Sequence, residues 1–136
     1  MLLFILAAFL QGAASTSATM KSVDKGPMSA IEAQRQVVVR TPEEFATLWK
    51  SHANDRKMPE VDFTSNVVVG IFLGSRPTGG YSAEIVSAQP EGNTLVVKYK
   101  ETRPGRGMMT AQVLTSPFHL VTVPKFDGPV RFEKIP

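Results

Sequence analysis

With 136 residues, 14.8 kDa, 43% hydrophobic and 20% charged side chains, the chain has the make-up of one globular domain and is too short for two; neither disorder nor a collagen-like repeat fits it. Fifteen Lys and Arg against twelve Asp and Glu leave a formal charge of +3, a surplus too small to mark a nucleic-acid-binding protein. The absence of cysteine excludes disulfides, thiolate metal sites and thiol nucleophiles, while ten Gly and ten Pro without a period point to a turn-rich, mainly β chain.

In chain order, Leu2 to Leu10 form an uninterrupted apolar run followed by small residues. That is how a secretory h-region and its cleavage zone read, although no basic residue precedes it. The reading is a signal peptide over residues 1–18, cleaved after Ala14 or Ala18. The run is too short to span a bilayer, which takes about 20 apolar residues, and no cysteine is available for lipid attachment. The mature protein is therefore expected outside the cytoplasm, periplasmic or extracellular, with no integral membrane segment. Residues 19–30 mix Ser, Lys, Gly and Pro without periodicity and read as a flexible lead-in, so that the folded domain spans residues 31–136.

Gln36 to Arg40 is a predicted strand. Thr41-Pro42-Glu43-Glu44 then offers an N-cap hydroxyl, a proline at the first helical position and a glutamate three residues after the cap, predicting a helix from Pro42 to about Ala53. Phe45, Leu48, Trp49 and His52 recur at i, i+3, i+4 and i+7, so one stripe should lie on a sheet. Val67 to Leu73 is apolar throughout and reads as a central strand covered on both faces. Alternating segments follow at Tyr81 to Ala88, Leu95 to Tyr99 and Ala111 to Ser116; Phe118 to Val123 continues in extended form, and Val130 to Glu133 closes the set. The expected fold is α+β, mainly β: an antiparallel sheet of about seven strands, as a sandwich or open barrel, with one helix packed on it.

Two loops depart from ordinary turn composition. Gly74 to Gly80 is longer than a hairpin needs, and Arg103 to Met109 carries two arginines and two methionines where a turn asks for Gly, Asn or Asp. Successive antiparallel hairpins place every second connection at the same end of a sheet, so the two loops should meet. The gathered residues, Arg76, Pro77, Thr78, Gly79, Gly80, Tyr81, Arg103, Arg106, Met108 and Met109, have the chemistry of a protein-docking surface: guanidinium forks, adaptable thioethers and an aromatic ring.

These same segments carry a family likeness. Gly74-Ser75-Arg76-Pro77-Thr78-Gly79-Gly80-Tyr81-Ser82, Arg103-Pro104-Gly105 and Thr110 to Phe118 resemble the C-terminal domain of the PrcB family over about Val67 to Phe132. The resemblance implies an exported accessory subunit that stabilises a partner protease or assists its maturation. A weaker likeness, in Arg76 to Tyr81, is to the Asn-Pro-Thr-Thr-Gly-Tyr loop of chagasin-type cysteine-protease inhibitors, with Arg76 and Gly79 in place of Asn and the second Thr. An inhibitor, or an envelope scaffold without a protease connection, is the alternative reading.

Catalysis is not expected. His52 and His119 fall among apolar neighbours, as structural histidines do; Ser82 has no assigned base, and Glu84 and Glu101 read as solvent-facing carboxylates near one sheet end. Metal-ligand spacing, a nucleophile elbow and a phosphate loop are missing from the sequence, so no catalytic residue, metal or cofactor is assigned.

Overall fold

The computed structural model describes residues 20–136; the expected signal peptide lies outside the described residues. The elements are β1 (Lys21–Gly26), β2 (Arg35–Val39), α1 (Pro42–Ala53), β3 (Asn66–Phe72), β4 (Ser82–Glu91), β5 (Thr94–Thr102), β6 (Phe118–Pro124) and β7 (Val130–Lys134). They form two sheets. One is fully antiparallel in the order β1-β6-β3-β2; the other has the order β4-β5-β7, with β5 and β7 parallel. The architecture is α+β and mainly β, a sandwich with a helix on its outer face rather than a closed barrel.

The apolar run of β3 has the two-sided burial its composition demands. Val68 and Phe72 join Phe45, Leu48 and Trp49 of α1 in one core, while Val67, Val69 and Ile71 join Ala83, Ile85, Leu95, Val97 and Tyr99 of the second sheet in the other. Gly70 lies on the helix side, where a Cβ would collide with the Leu120 side chain and crowd Val37; the close strand packing there leaves no room for a larger residue. The helix begins as its sequence dictates: Thr41 Oγ1 accepts from the Glu44 N–H at 3.1 Å, and Glu44 Oε1 accepts from the Arg40 N–H at 2.8 Å. Phe45, Leu48, Trp49 and His52 are all buried.

Three expectations are corrected. Residues 21–26, read as part of a flexible lead-in, form β1 and pair with β6. Only Val23 of that strand reaches the core; its other ties are polar, through Ser22 and Asp24, and hydrophobic periodicity does not register them. Ala111 to Ser116, read as a strand, is irregular: its backbone pairs with the opposite loop, Ala111 C=O accepting from the Gly79 N–H and Thr115 exchanging two bonds with Arg76, which leaves no partner for a ladder. Finally, the strands containing Val67–Leu73 and Tyr81–Ala88 are not neighbours in one sheet. The chain crosses from one sheet to the other between β3 and β4.

Candidate functional site

The two unusual loops nevertheless meet. Antiparallel pairing of β4 with β5 sets Ser82 opposite Thr102, so the chain entering β4 and the chain leaving β5 emerge together. Gly80, at φ +90°, sits so close to Pro104 that a Cβ would come within 2.8 Å of the proline Cβ and 3.1 Å of Thr110 Cγ2; both the backbone conformation and the space require glycine. Thr115 Oγ1 donates to the Thr78 carbonyl at 2.9 Å, and the first loop is thereby stitched along the second.

Arg76 locks this arrangement. Its Nε and Nη2 donate to Glu101 Oε2 and Oε1 at 2.7 and 3.1 Å, and Nη1 donates to the carbonyls of Leu73 and Ser75 at 3.1 and 3.0 Å. Lys134 Nζ adds a third cationic contact to Glu101 at 3.1 Å. The Glu101 side chain is only 2% exposed, so it does not face solvent as its sequence setting suggested. Hydrogen bonds from Arg76 hold its carboxyl down at about 2 against the opposing cost of burial, with Lys134 helping. Four of the five guanidinium N–H donors of Arg76 are engaged within the molecule, so the residue acts as an anchor rather than as a free contact group.

The remaining loop residues divide by exposure. Thr78, Gly79 and Tyr81 are half-buried, whereas Pro77, Gly80, Arg103 and Arg106 are exposed. Met108 and Met109 are 59% and 97% exposed, and the same loop also exposes Val113 (47%) and Leu114 (68%). The last two belong to the surface although alternation with Gln112 and Ser116 suggests a strand; the signal for exposure is apolar residues beside a Pro-Gly-rich segment. Among the described residues neither Arg103 nor Arg106 makes a salt bridge. The segment from Arg103 to Leu114 thus carries two guanidinium groups without a salt bridge among the described residues and four exposed apolar side chains.

Both histidines are structural, and each ties elements together. His52 Nε2 donates to Asp24 Oδ2 at 2.8 Å, its Nδ1 accepts from Ser29 Oγ at 2.7 Å, and Arg56 Nη2 donates to the same Asp24 oxygen at 2.8 Å. Burial favours the neutral acid at Asp24, but the hydrogen bonds from Arg56 and His52 outweigh it and hold the carboxyl below its ordinary range. Although Ser29, His52 and Asp24 line up in the order of an acyl-transfer triad, Ser29 is 7% exposed and its Oγ also accepts from the Ile31 N–H. The imidazole is wedged against Phe118, ring centroids 4.2 Å apart. This is a hydrogen-bonded core bridge between β1, the segment after it and α1.

His119 joins the two sheets. Its Nδ1 accepts from the Ile85 N–H of β4 at 2.9 Å and its Nε2 donates to Ser22 Oγ of β1 at 3.0 Å, an arrangement only the neutral ring can make. Burial lowers its proton affinity below that of an ordinary imidazole. The unfolded chain therefore binds this proton first as pH falls, and stability drops from about pH 6.5 toward the lowered folded value. In urea titrations between pH 7.5 and 5, His119→Gln is expected to show a flatter pH dependence than the wild type. Equal slopes would remove His119 as the source. Loss of the Glu101 contribution falls in a separate window, between 4.5 and about 2.

Residues 67–124 match the family model described as PrcB C-terminal. The matched stretch runs from β3 through β6 and includes both loops. No curated protein and no solved structure matches the chain. Among the described residues there is no cluster of His, Asp or Glu able to hold a metal ion and no helix long and apolar enough to cross a membrane.

Proposed function

We propose, since residues 67–124 match the family model described as PrcB C-terminal, that the protein is an exported, non-catalytic protein-binding module that stabilises a partner protease or assists its maturation. The observation that carries the reading is the end face built from the two loops. Arg103, Arg106, Met108, Met109, Val113 and Leu114 are exposed there, on a base fixed by the Arg76–Glu101 pair. Arginine and methionine are enriched at interface cores, and an exposed apolar cluster on a rigid base costs little ordering when a partner covers it. Pro77 and Gly80 extend this surface at the other loop. The half-burial of Thr78, Gly79 and Tyr81 favours docking against a surface over insertion into a protease cleft.

The test is affinity capture from the native extract, read by mass spectrometry, with the wild-type protein and the R103E/R106E variant as parallel baits. The expected result is a protease among the proteins held by the wild type, lost with the variant, whose melting temperature stays within about 2 °C because both changed side chains are solvated. Equal capture by both baits would refute the assignment to this face. Adding the protein to the captured enzyme should then prolong its active lifetime; a loss of activity on titration would support the inhibitor reading instead, and neither effect would support a scaffold.

A further inference from the structure

Among the described residues the two sheets present four edge strands, and three of them are guarded against pairing with another chain. β1 has an irregular register between Ser22 and Asp24 and carries Lys21 and Lys25. β4 is irregular between Ile85 and Ser87 and contains Pro90, while β7 has Arg131, Glu133 and Lys134 among its five residues. Bulges, prolines and dense charge are the usual means of blocking an edge. β2, the edge beside β3, has none of these after Arg35: it continues Gln36-Val37-Val38-Val39 in regular register. Along its free side runs a groove of about 440 Å³, lined by all five residues of β2 and by Glu44, Thr47, Leu48 and Ser51 of α1.

The charges at the two ends of this groove identify what fits it. Val37 and Val39 point into the helix-side core and Val38 into the core between the sheets, so by the period of two Arg35 lies on the helix side. Glu44, in the first turn of α1, lies on the same side at the opposite end of β2. Both are exposed, and neither forms a salt bridge among the described residues. A two-fold axis perpendicular to the sheet at Val37 sets a second β2 antiparallel to the first. Gln36 then faces Val38 of the second copy and Arg35 faces its Val39, which brings Arg35 of each copy to Glu44 of the other. A strand from an unrelated protein would have to supply both complements; a second copy supplies them by symmetry.

We infer that the unguarded edge of β2 pairs antiparallel with the β2 edge of a second copy of this chain, forming a two-fold dimer held by backbone hydrogen bonds and two reciprocal Arg35–Glu44 ion pairs. The dimer has one continuous sheet with both helices on one face. The residues it uses, on β2 and the first turn of α1, do not include Arg103 or Arg106.

Sedimentation equilibrium of the full-length chain at concentrations up to about 100 µM tests this, a range suited to a short five-residue edge. The wild type should sediment as a reversible dimer. R35E, which sets like charges together at both ends of the interface, should weaken association by about tenfold or more, and R35E/E44K should restore it. Far-ultraviolet circular dichroism checks that each variant is folded; if E44K disturbs the cap of α1, E44Q should weaken the dimer in the same direction as R35E. A wild type that stays monomeric throughout the range, a dimer unaffected by R35E, or a dimer dissociated instead by R103E/R106E would overturn the proposal.

Discussion

Replacing His52 by Ala is expected to cost about 3–5 kcal/mol of unfolding free energy, the largest effect of any single polar substitution in this protein. The ring is 2% exposed and sits among Phe118, Phe72 and Trp49 at centroid distances of 4.2, 5.5 and 5.1 Å. Removing it opens a cavity of aromatic size, for which core truncations cost on this scale. It also strands two polar partners: Ser29 Oγ loses the acceptor to which it donates, and Asp24 keeps only Arg56. A buried hydroxyl left without its partner accounts for roughly 1–3 kcal/mol of that total. His52→Phe fills the space and should recover about half of the loss. Urea unfolding of the two variants checks both values, and a loss below about 1 kcal/mol for His52→Ala would mean that the site relaxes or admits water.

The second large effect concerns Arg76. Arg76→Ala leaves Glu101, 2% exposed, with Lys134 alone; taking one partner from a largely buried pair should cost about 2–4 kcal/mol. Arg76→Lys should recover only part of this, because an ammonium cannot bridge both carboxylate oxygens while also donating to the Leu73 and Ser75 carbonyls. Arg103→Ala and Arg106→Ala should each stay within about 0.5 kcal/mol of the wild type. The penalty of Arg76→Ala is also pH-dependent, with a sign fixed by the pair. Glu101 is ionised down to about 2 in the native protein, against 4.5 ordinarily; the stabilisation is therefore complete above 4.5 and disappears as pH falls toward 2. In thermal melts the gap between Arg76→Ala and wild type should narrow as pH falls through that window. A gap independent of pH would show that packing, not charge, is what Arg76 contributes.

These two residues mark where reading the sequence stops. The helix at Pro42–Ala53 and the two-sided strand at Val67–Leu73 were legible because their signals are local: a capping box with a 3.6-residue stripe, and an apolar run flanked by turns. The meeting of the two loops was also foreseen, yet for a reason the topology does not share. They converge through the pairing of β4 with β5, not through a meander including β3. Arg76 was grouped with Arg103 and Arg106 because sequence separates neither burial nor partner; Glu101 is 25 positions away, and only the fold turns one arginine into an anchor and leaves two at the surface. β1 escaped notice for a related reason. Its place is secured by Ser22–His119 and Asp24–His52, contacts spanning 97 and 28 positions, and polar pairs at such distances leave no periodic trace.

The function rests on the claim that the exposed 103–114 segment is the surface a partner touches. Site-specific photocrosslinking tests it most directly, with a photoreactive phenylalanine derivative in place of Met109, 97% exposed in that segment, and in a second bait in place of Asn93, exposed in the β4–β5 turn at the opposite end of the hairpin from the Ser82–Thr102 pair. Irradiation in the native extract should give a covalent adduct with the partner from position 109 and none from position 93. An adduct from position 93 alone, or no adduct from 109 while the partner is still retained, would contradict the account.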